Sequence, residues 1–253
     1  MQRYFVNQQA SNNVFTITGD DCHHIARVMR MKAGDHIICV DPDGKCAECS
    51  IEEITDEKVI AGVVKWVDGE GASCSELPVS VTIVSGLPKG DKLEWIIQKG
   101  TELGACDFIP FISARSVVKW DEKKAAKKIE RWQKIAKEAA EQSHRTSLPT
   151  VKVPLNIKLL VKESTSYDYK LIAFEEEAKI GEKSVLSQTL FQMKAGQSLM
   201  IVFGPEGGLT DQEVSFLKEN GFQSCGLGPR ILRTETAPLY ALSAVSYHFE
   251  LME

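Results

Sequence analysis

The chain has 253 residues, 43% of them hydrophobic and 26% charged, with a formal net charge of −5. These values fit an ordinary soluble globular protein long enough for two cores, and the negative total does not announce a partner with a phosphate backbone. No apolar run approaches the ~18 residues of a membrane span, and the opening MQRYFVNQQASNN lacks the charged head and apolar centre of a signal peptide, so a cytoplasmic location and no membrane partner are expected.

Residues 1 to 70 read as short strands with close turn signals: RYFV, VFTI, DHIICV, the turn Asp41-Pro42-Asp43-Gly44, CAECSIEEI and VIAGVVKWV. Alternating apolar and polar positions predict a small β-barrel or curled sheet. One helical turn interrupts it, capped by Asp20 or Asp21, with Ile25, Val28 and Met29 on one side and His24, Arg27, Arg30 and Lys32 nearby. Asp68 to Pro78, rich in Gly and Ser, is the expected linker, which places a first domain over residues 1–72 and a second over 73–253.

Seven cysteines fall at 22, 39, 46, 49, 74, 106 and 225, an odd and scattered set that reads as reduced thiols. Cys46 and Cys49 form one CxxC. A structural zinc site usually needs a second pair, which Cys22, His23, His24 and Cys39 could supply in principle; small buried residues are the favoured reading, and no metal is expected.

After Pro78 the pattern becomes strand, helix, strand, helix. VSVTIVSGL is a strand. A helix follows from about Asp91 to Leu103 and stops at Gly104, then the strand FIPFI, then a long helix over Glu122 to Ser143. That helix gathers Ala125, Ile129, Trp132, Ala136 and Ala139 on one face, with Lys123, Lys127, Lys128, Arg131 and Lys134 mostly elsewhere. Between Arg115 and Arg145 there are ten Lys or Arg against five Asp or Glu, whereas residues 1 to 72 carry seven basic and twelve acidic, so any nucleic acid would be attracted chiefly by the middle of the chain.

Strand YKLIAF, a helix around Ser187 to Met193, strand SLMIVF, a helix from Asp211, strand FQSCGL and a terminal helix from Ala237 complete the series. Thr210-Asp211-Gln212-Glu213 is a capping box with Gly221 as the matching stop, and Thr236 is the expected cap of the last helix, with Pro238 in its first turn. Such alternation predicts a parallel sheet covered by helices on both faces.

Two loops carry the chemistry. Gly204-Pro205-Glu206-Gly207-Gly208 follows SLMIVF, and Leu227-Gly228-Pro229-Arg230-Ile231-Leu232-Arg233-Thr234-Glu235 follows FQSCGL. Both open at carboxyl ends of parallel strands, where such folds bind ligands. No Gly-Lys-Ser/Thr follows the first loop and no GxGxxG occurs anywhere, which excludes Walker and Rossmann-type sites. The second loop mixes apolar and charged groups as a ligand lining does.

IVFGPEGGLT and GLGPRILRTETAPLYALSAV resemble the second and third motifs of SPOUT methyltransferases. With GLPKGDKLEWIIQKGTELGA, FIPFISARS, RWQKIAKEAAEQSHR, RYFV and HHIARVMRMKAGD, the chain is similar to the RsmE family from about Arg3 to the last helix. That resemblance implies a PUA-like β-barrel before an α/β SPOUT domain with a carboxy-terminal trefoil knot. It also implies a homodimer, S-adenosylmethionine as methyl donor, and N3 of a uridine in 16S ribosomal RNA of the small subunit as target. Carried onto this chain, Gly204, Glu206, Gly207, Leu227, Gly228, Ile231 and Leu232 surround the donor, and Ala173, Phe174 and Glu175 close its adenosine side. Methylating N3 requires losing its proton, so Arg233 is the expected cation beside the uracil oxygens and Glu235 or Glu206 the expected proton acceptor. Arg115, Arg131, His144 and Arg145, with Arg3, His23, His24, Arg27 and Arg30, are the expected RNA contacts. The rival readings are a related SPOUT enzyme acting on a ribose 2′-hydroxyl or on transfer RNA, and a non-catalytic RNA-binding protein.

Overall fold

The computed structural model describes residues 1–67, 75–117, 122–174 and 185–252. Cys74, most of the expected linker, and Glu175 of the expected donor site lie outside the described residues. The chain divides into two compact units, one formed by Met1–Glu76 with Ala140–Leu148 and the other by Leu77–Ala139 with Pro149–Glu253. The segment Ala140–Leu148, read from sequence as part of the second domain, counts with the first.

The first unit is built on β1 (Arg3–Phe5), β2 (Val14–Thr18), β3 (His36–Val40), β4 (Cys46–Ile54) and β5 (Lys58–Trp66), hydrogen-bonded in the order β1-β3-β4-β5-β2. Only β1 and β3 run parallel. Alternation buries Phe15 and Ile17 on β2, Ile37 and Cys39 on β3, Cys49 and Ile51 on β4, and Val59 and Ala61 on β5 in one core. Register shifts at Glu48/Cys49 and Ile51/Glu53 put one extra residue into β5, Val64, and one into β4, Glu52, which increases twist and curls the sheet.

The helical turn differs from expectation. It starts at Gly19, with Thr18 in the cap position but making no side-chain cap bond, and Asp20 and Asp21 sit in its first turn. It continues through His24–Val28 as a π turn, in which the Met29 amide donates to the His24 carbonyl. This wider turn keeps Ile25 in the core but leaves Val28 58% and Met29 39% exposed, so the three do not share a side.

The second unit is a six-stranded parallel sheet in the order β11-β9-β10-β6-β7-β8. Its strands are β6 (Ser80–Gly86), β7 (Asp107–Phe111), β8 (Thr150–Val151), β9 (Tyr169–Ala173), β10 (Ser198–Phe203) and β11 (Gln223–Cys225). The two-residue strand β8 and the helix Ile157–Glu163, capped by the Asn156 side chain, were not anticipated. Their stretch is too short and too weakly periodic to announce them.

Period-two alternation assigns each central strand to both faces. Val81, Ile83, Leu199, Ile201 and Phe203 join one core, with Leu93, Ile96 and Ile97 of the helix Lys92–Glu102, Trp132 and Ala136 of the helix Glu122–Gln142, and Ala241, Leu242 and Val245 of the helix Thr236–Ser246. Val84, Met200 and Val202 join the opposite core with Leu160 and with Val214 and Leu217 of the capping-box helix Asp211–Glu219. Burying each such side chain stabilises by about 1.5–3 kcal/mol, which is why β10 is apolar from Leu199 to Phe203, while β6 buries Thr82 and Ser85 among its apolar residues. The capping box forms as expected, with Glu213 bonded to the Thr210 amide and hydroxyl, and Gly221 takes the positive φ of 86° that ends this helix. Thr236 is the first residue of the last helix rather than its cap; Glu235 holds the cap position without a side-chain bond.

Candidate active site at the carboxyl ends of the central strands

From β6 the chain moves outward through β7 to β8, then crosses to β9, β10 and β11 on the other side, so the strand order reverses between β6 and β10. Ligands of open parallel sheets bind at such a switch point, outside the carboxyl ends. Register places the strand ends in one row: Cys225 pairs with Ala173, Ala173 with Phe203, and Phe203 with Ser85. Ala173, Phe174, the first loop and the start of the second therefore emerge side by side. The Phe174 amide donates to the Cys225 carbonyl at 3.1 Å, which carries this pairing one residue past the strands.

A third loop joins them, Gly86-Leu87-Pro88-Lys89-Gly90-Asp91-Lys92, at the end of β6. A Cβ on Gly86 would lie 2.5 Å from both the nitrogen and Cδ of Pro205 and 3.0 Å from the carbonyl carbon of Gly204, so only glycine lets the first loop approach so closely. Glu206 reaches back across this contact. Its Oε1 accepts from the Lys89 amide at 3.1 Å and lies 3.0 Å from Lys92 Nζ. The same Nζ lies 3.3 Å from Glu235 Oε2, an ion pair longer than that to Glu206, on a buried oxygen with no other hydrogen-bond partner among the described residues. Partial burial alone would raise the Glu206 pKa; hydrogen bonds from its own amide, Lys92 and Lys89 outweigh it and hold the carboxyl below its ordinary value. The bond to Glu206, opposed in part by desolvation and aided by Glu235, raises the Lys92 ammonium pKa.

The two expected loops are fastened to each other and to a fourth segment. Thr234, 8% exposed, donates its hydroxyl to the Gly204 carbonyl at 2.7 Å. Arg115 Nη1 donates to the carbonyls of Gly207 and Leu209 at 3.0 and 3.2 Å, and Glu213 Oε1 accepts from the Ala114 amide at 2.8 Å. Arg115, expected to contact RNA, thus braces the first loop. Leu227 and Leu232 are half-buried, while Arg230, Ile231 and Arg233 are exposed. The Arg233 guanidinium forms no ion pair with a described carboxylate, and its carbonyl accepts from the amides of Thr236 and Ala237 at the start of the last helix.

The remaining expected RNA contacts divide by unit. In the first, His23, Arg27, Arg30 and His144 are exposed, with Arg27 ion-paired to Asp56 at 2.6 Å. His24 is half-buried with Nδ1 3.0 Å from the Tyr4 hydroxyl. Arg3 turns inward and donates to the Arg145 carbonyl at 2.8 Å. Arg145, also expected to contact RNA, lies inside the first unit. It is 2% exposed and its Nε donates to Glu76 Oε2 at 3.1 Å, while Glu76 Oε1 accepts the Thr146 and Ser147 amides at 2.8 and 3.0 Å. A guanidinium enclosed by its own carboxylate network organises this turn. In the second unit, Arg131 is exposed, pairs with Glu94 at 2.7 Å and, with Lys128, Trp132 and residues of the third loop, lines a cavity of about 370 Å³.

Cys22, Cys39, Cys46, Cys49 and Cys225 are buried free thiols, and no group of three or more metal-ligating side chains forms among the described residues. No described helix is long and apolar enough to cross a membrane. Sequence reasoning missed Gly86, Lys92 and Thr234. The signal was present, because the third loop shows the same apolar run followed by Gly and Pro as the first.

Comparison with known proteins gives consistent results. A family model described as an RNA methyltransferase domain matches residues 75–246, and one described as an RNA methyltransferase PUA domain matches residues 17–64. The chain is 54% identical over 256 residues to ribosomal RNA small subunit methyltransferase E of Bacillus subtilis, covering 100% of this chain and 98% of that protein. It is 33% identical to the protein of the same name from Mycobacterium bovis, over 92% of this chain and 86% of that one. Among solved structures, the ribosomal RNA small subunit methyltransferase E of Neisseria gonorrhoeae bound to S-adenosyl methionine superposes with a TM-score of 0.83 at 29% identity, covering 97% of each chain.

Proposed function

The chain belongs to the ribosomal RNA small subunit methyltransferase E family, and from that membership we propose that it methylates N3 of a uridine in 16S ribosomal RNA with S-adenosylmethionine as donor. The observation that carries the proposal is the meeting of three strand-end loops at the switch point of the parallel sheet, two of them tied together by Thr234 and Gly204. The cradle suits this donor. Gly86, Gly204 and Gly207 bring bare backbone to the cleft, Ala173, Phe174, Leu227 and Leu232 supply apolar walls for an adenosine, and two carboxylates suit a molecule with cationic sulfonium and amino groups. When bound, the donor supplies an electrophilic methyl on sulfur.

The protein must orient the uracil and receive its proton. Glu235 is our choice of acceptor, since among the described residues its carboxylate makes only the 3.3 Å ion pair with Lys92, which leaves it lone pairs for the N3–H. Glu206 already accepts two strong donors and is held at low pKa, which suits a structural anion rather than a base. Arg233, exposed and without a described carboxylate partner, is our choice of cation for the negative charge that spreads onto the uracil oxygens as the proton leaves. As N3 bonds to the methyl carbon, the carbon–sulfur bond breaks and the proton stays on Glu235.

A trefoil-knotted carboxy-terminus belongs to the same proposal, supported by the insertion of β10 between β6 and β9 and the return of Thr234 to Gly204. So does a homodimer, favoured by Ile231, Tyr247 and Leu251, which are 76%, 58% and 70% exposed on the second loop and the carboxy-terminal segment. We place the activity in the cytoplasm, on the small subunit or its RNA. Incubating the protein with methyl-labelled donor and 16S RNA or small subunits, followed by nucleoside mass spectrometry, is expected to give N3-methyluridine. Label on ribose or on transfer RNA would replace this reading with a related one, and saturable RNA binding without any transfer would overturn it.

A further inference from the structure

Lys92 stands where the third loop enters its helix, inside the stretch GLPKGDKLEWIIQKGTELGA. Its ammonium lies 3.0 Å from Glu206 of the first loop and 3.3 Å from Glu235 of the second, so one cation touches both carboxylates of the site. We infer that Lys92 is a positioning residue: it clamps the two loops at a fixed gap by countering the charge of Glu206 and Glu235 at once, leaving Glu235 with its longer contact to accept the uridine proton. The inference rests on the proposed N3 methylation for that last clause only.

Two carboxylates sharing one cation avoid the conflict that two carboxylates sharing a site otherwise meet, in which one of them is forced to hold a proton. A protonated Glu235 could not act as base, and an uncompensated pair would push the loops apart. The charged groups acting here come from three elements: Lys92 and the Lys89 amide from the third loop, Glu206 from the first, and Glu235 from the second, with Arg233 two residues away on the same strip of chain. Asp91 flanks Lys92 in sequence, and Glu94 is engaged by Arg131. Lysine suits the position because its compact ammonium can contact two oxygens at different heights, where a planar guanidinium would favour a bidentate grip on one.

The test uses the full chain with 13C-labelled glutamate and no donor. In Lys92→Met the carboxyl titration midpoint of Glu206 or Glu235 is expected to rise by about one pH unit, and Lys92→Arg is expected to return most of that shift. The acid limb of the kcat profile for methyl transfer is expected to move upward with it in Lys92→Met. Unchanged midpoints for both glutamates in a folded Lys92→Met protein would overturn the clamp, whatever the activity. If the wild-type chain proved unable to make N3-methyluridine while the midpoints shifted as expected, the functional reading would fail and the clamp would stand. Shifted midpoints with an unmoved acid limb would remove the link to proton acceptance.

Discussion

Gly86→Ala tests the close approach of β6 and the first loop. The added Cβ would meet the nitrogen and Cδ of Pro205 at 2.5 Å, where ordinary contact begins near 3.4 Å, so about 0.9 Å of clearance is missing against two atoms at once. One of them is main chain and the other is locked in a proline ring, so neither can swing aside as a flexible side-chain tip would. Strand β6 cannot retreat easily either, because Gly86 pairs with Phe111 in β7 and the Leu87 amide donates to the Phe111 carbonyl at 3.0 Å. Overpacking of this kind costs about 1–3 kcal/mol, offset by about 0.4–1 kcal/mol from the reduced freedom of the unfolded chain. A net loss of about 1–2 kcal/mol is expected in urea unfolding, and a loop displaced by this much should bind S-adenosylmethionine about tenfold more weakly, a change of about 1.4 kcal/mol, in calorimetric titration. A Gly86→Ala protein with the wild-type unfolding midpoint and wild-type donor affinity would refute the claim that this contact shapes the cleft.

Thr234→Val removes the hydroxyl that joins the two loops and should cost about 1–2 kcal/mol in unfolding free energy, whereas Thr234→Ser should retain most of it; equal losses in both would point to packing rather than the bond. Arg115→Gln should weaken donor binding about fivefold through the freed Gly207 and Leu209 carbonyls, about 1 kcal/mol for this exposed brace; a defect confined to RNA affinity would return Arg115 to its expected role. Glu76→Gln leaves the Arg145 guanidinium buried against a neutral partner and should destabilise by about 3 kcal/mol, and a change below about 1 kcal/mol would show that the pair is dispensable. Asp168 accepts the Ser198 hydroxyl and amide, which lowers its pKa in the folded state; its contribution is therefore complete above the ordinary carboxylate value and lost as pH falls through the folded one. Asp168→Asn should accordingly differ from wild type in thermal midpoint at pH 7 and converge with it in strong acid, and a difference that persists there would contradict this assignment.

Much of the second unit was legible because its signals are local. Strands β6 and β10 announce themselves as apolar runs, the capping box needs only residues three apart, and Gly221 marks a stop that any following chain would respect. The family resemblance was legible for the same reason, since its motifs are contiguous stretches of loop and helix. Local rules failed at two helix ends: the π turn at His24 turns Val28 outward, and Glu235 rather than Thr236 holds the cap position of the last helix.

The sequence by itself determined the element order apart from β8 and the helix Ile157–Glu163, the parallel sheet, the two strand-end loops and the kinship. Only the tertiary structure decided which charges stay available. Arg145 is consumed by Glu76 69 residues away, Arg115 by the Gly207 carbonyl 92 residues away, and Glu206 by the Lys89 amide 117 residues away and by Lys92 beside it. A charged side chain carries no mark of its partner along the chain. Its role is set by the low-dielectric neighbourhood in which folding leaves it, and that neighbourhood is assembled from strand ends that only sheet register brings into one row.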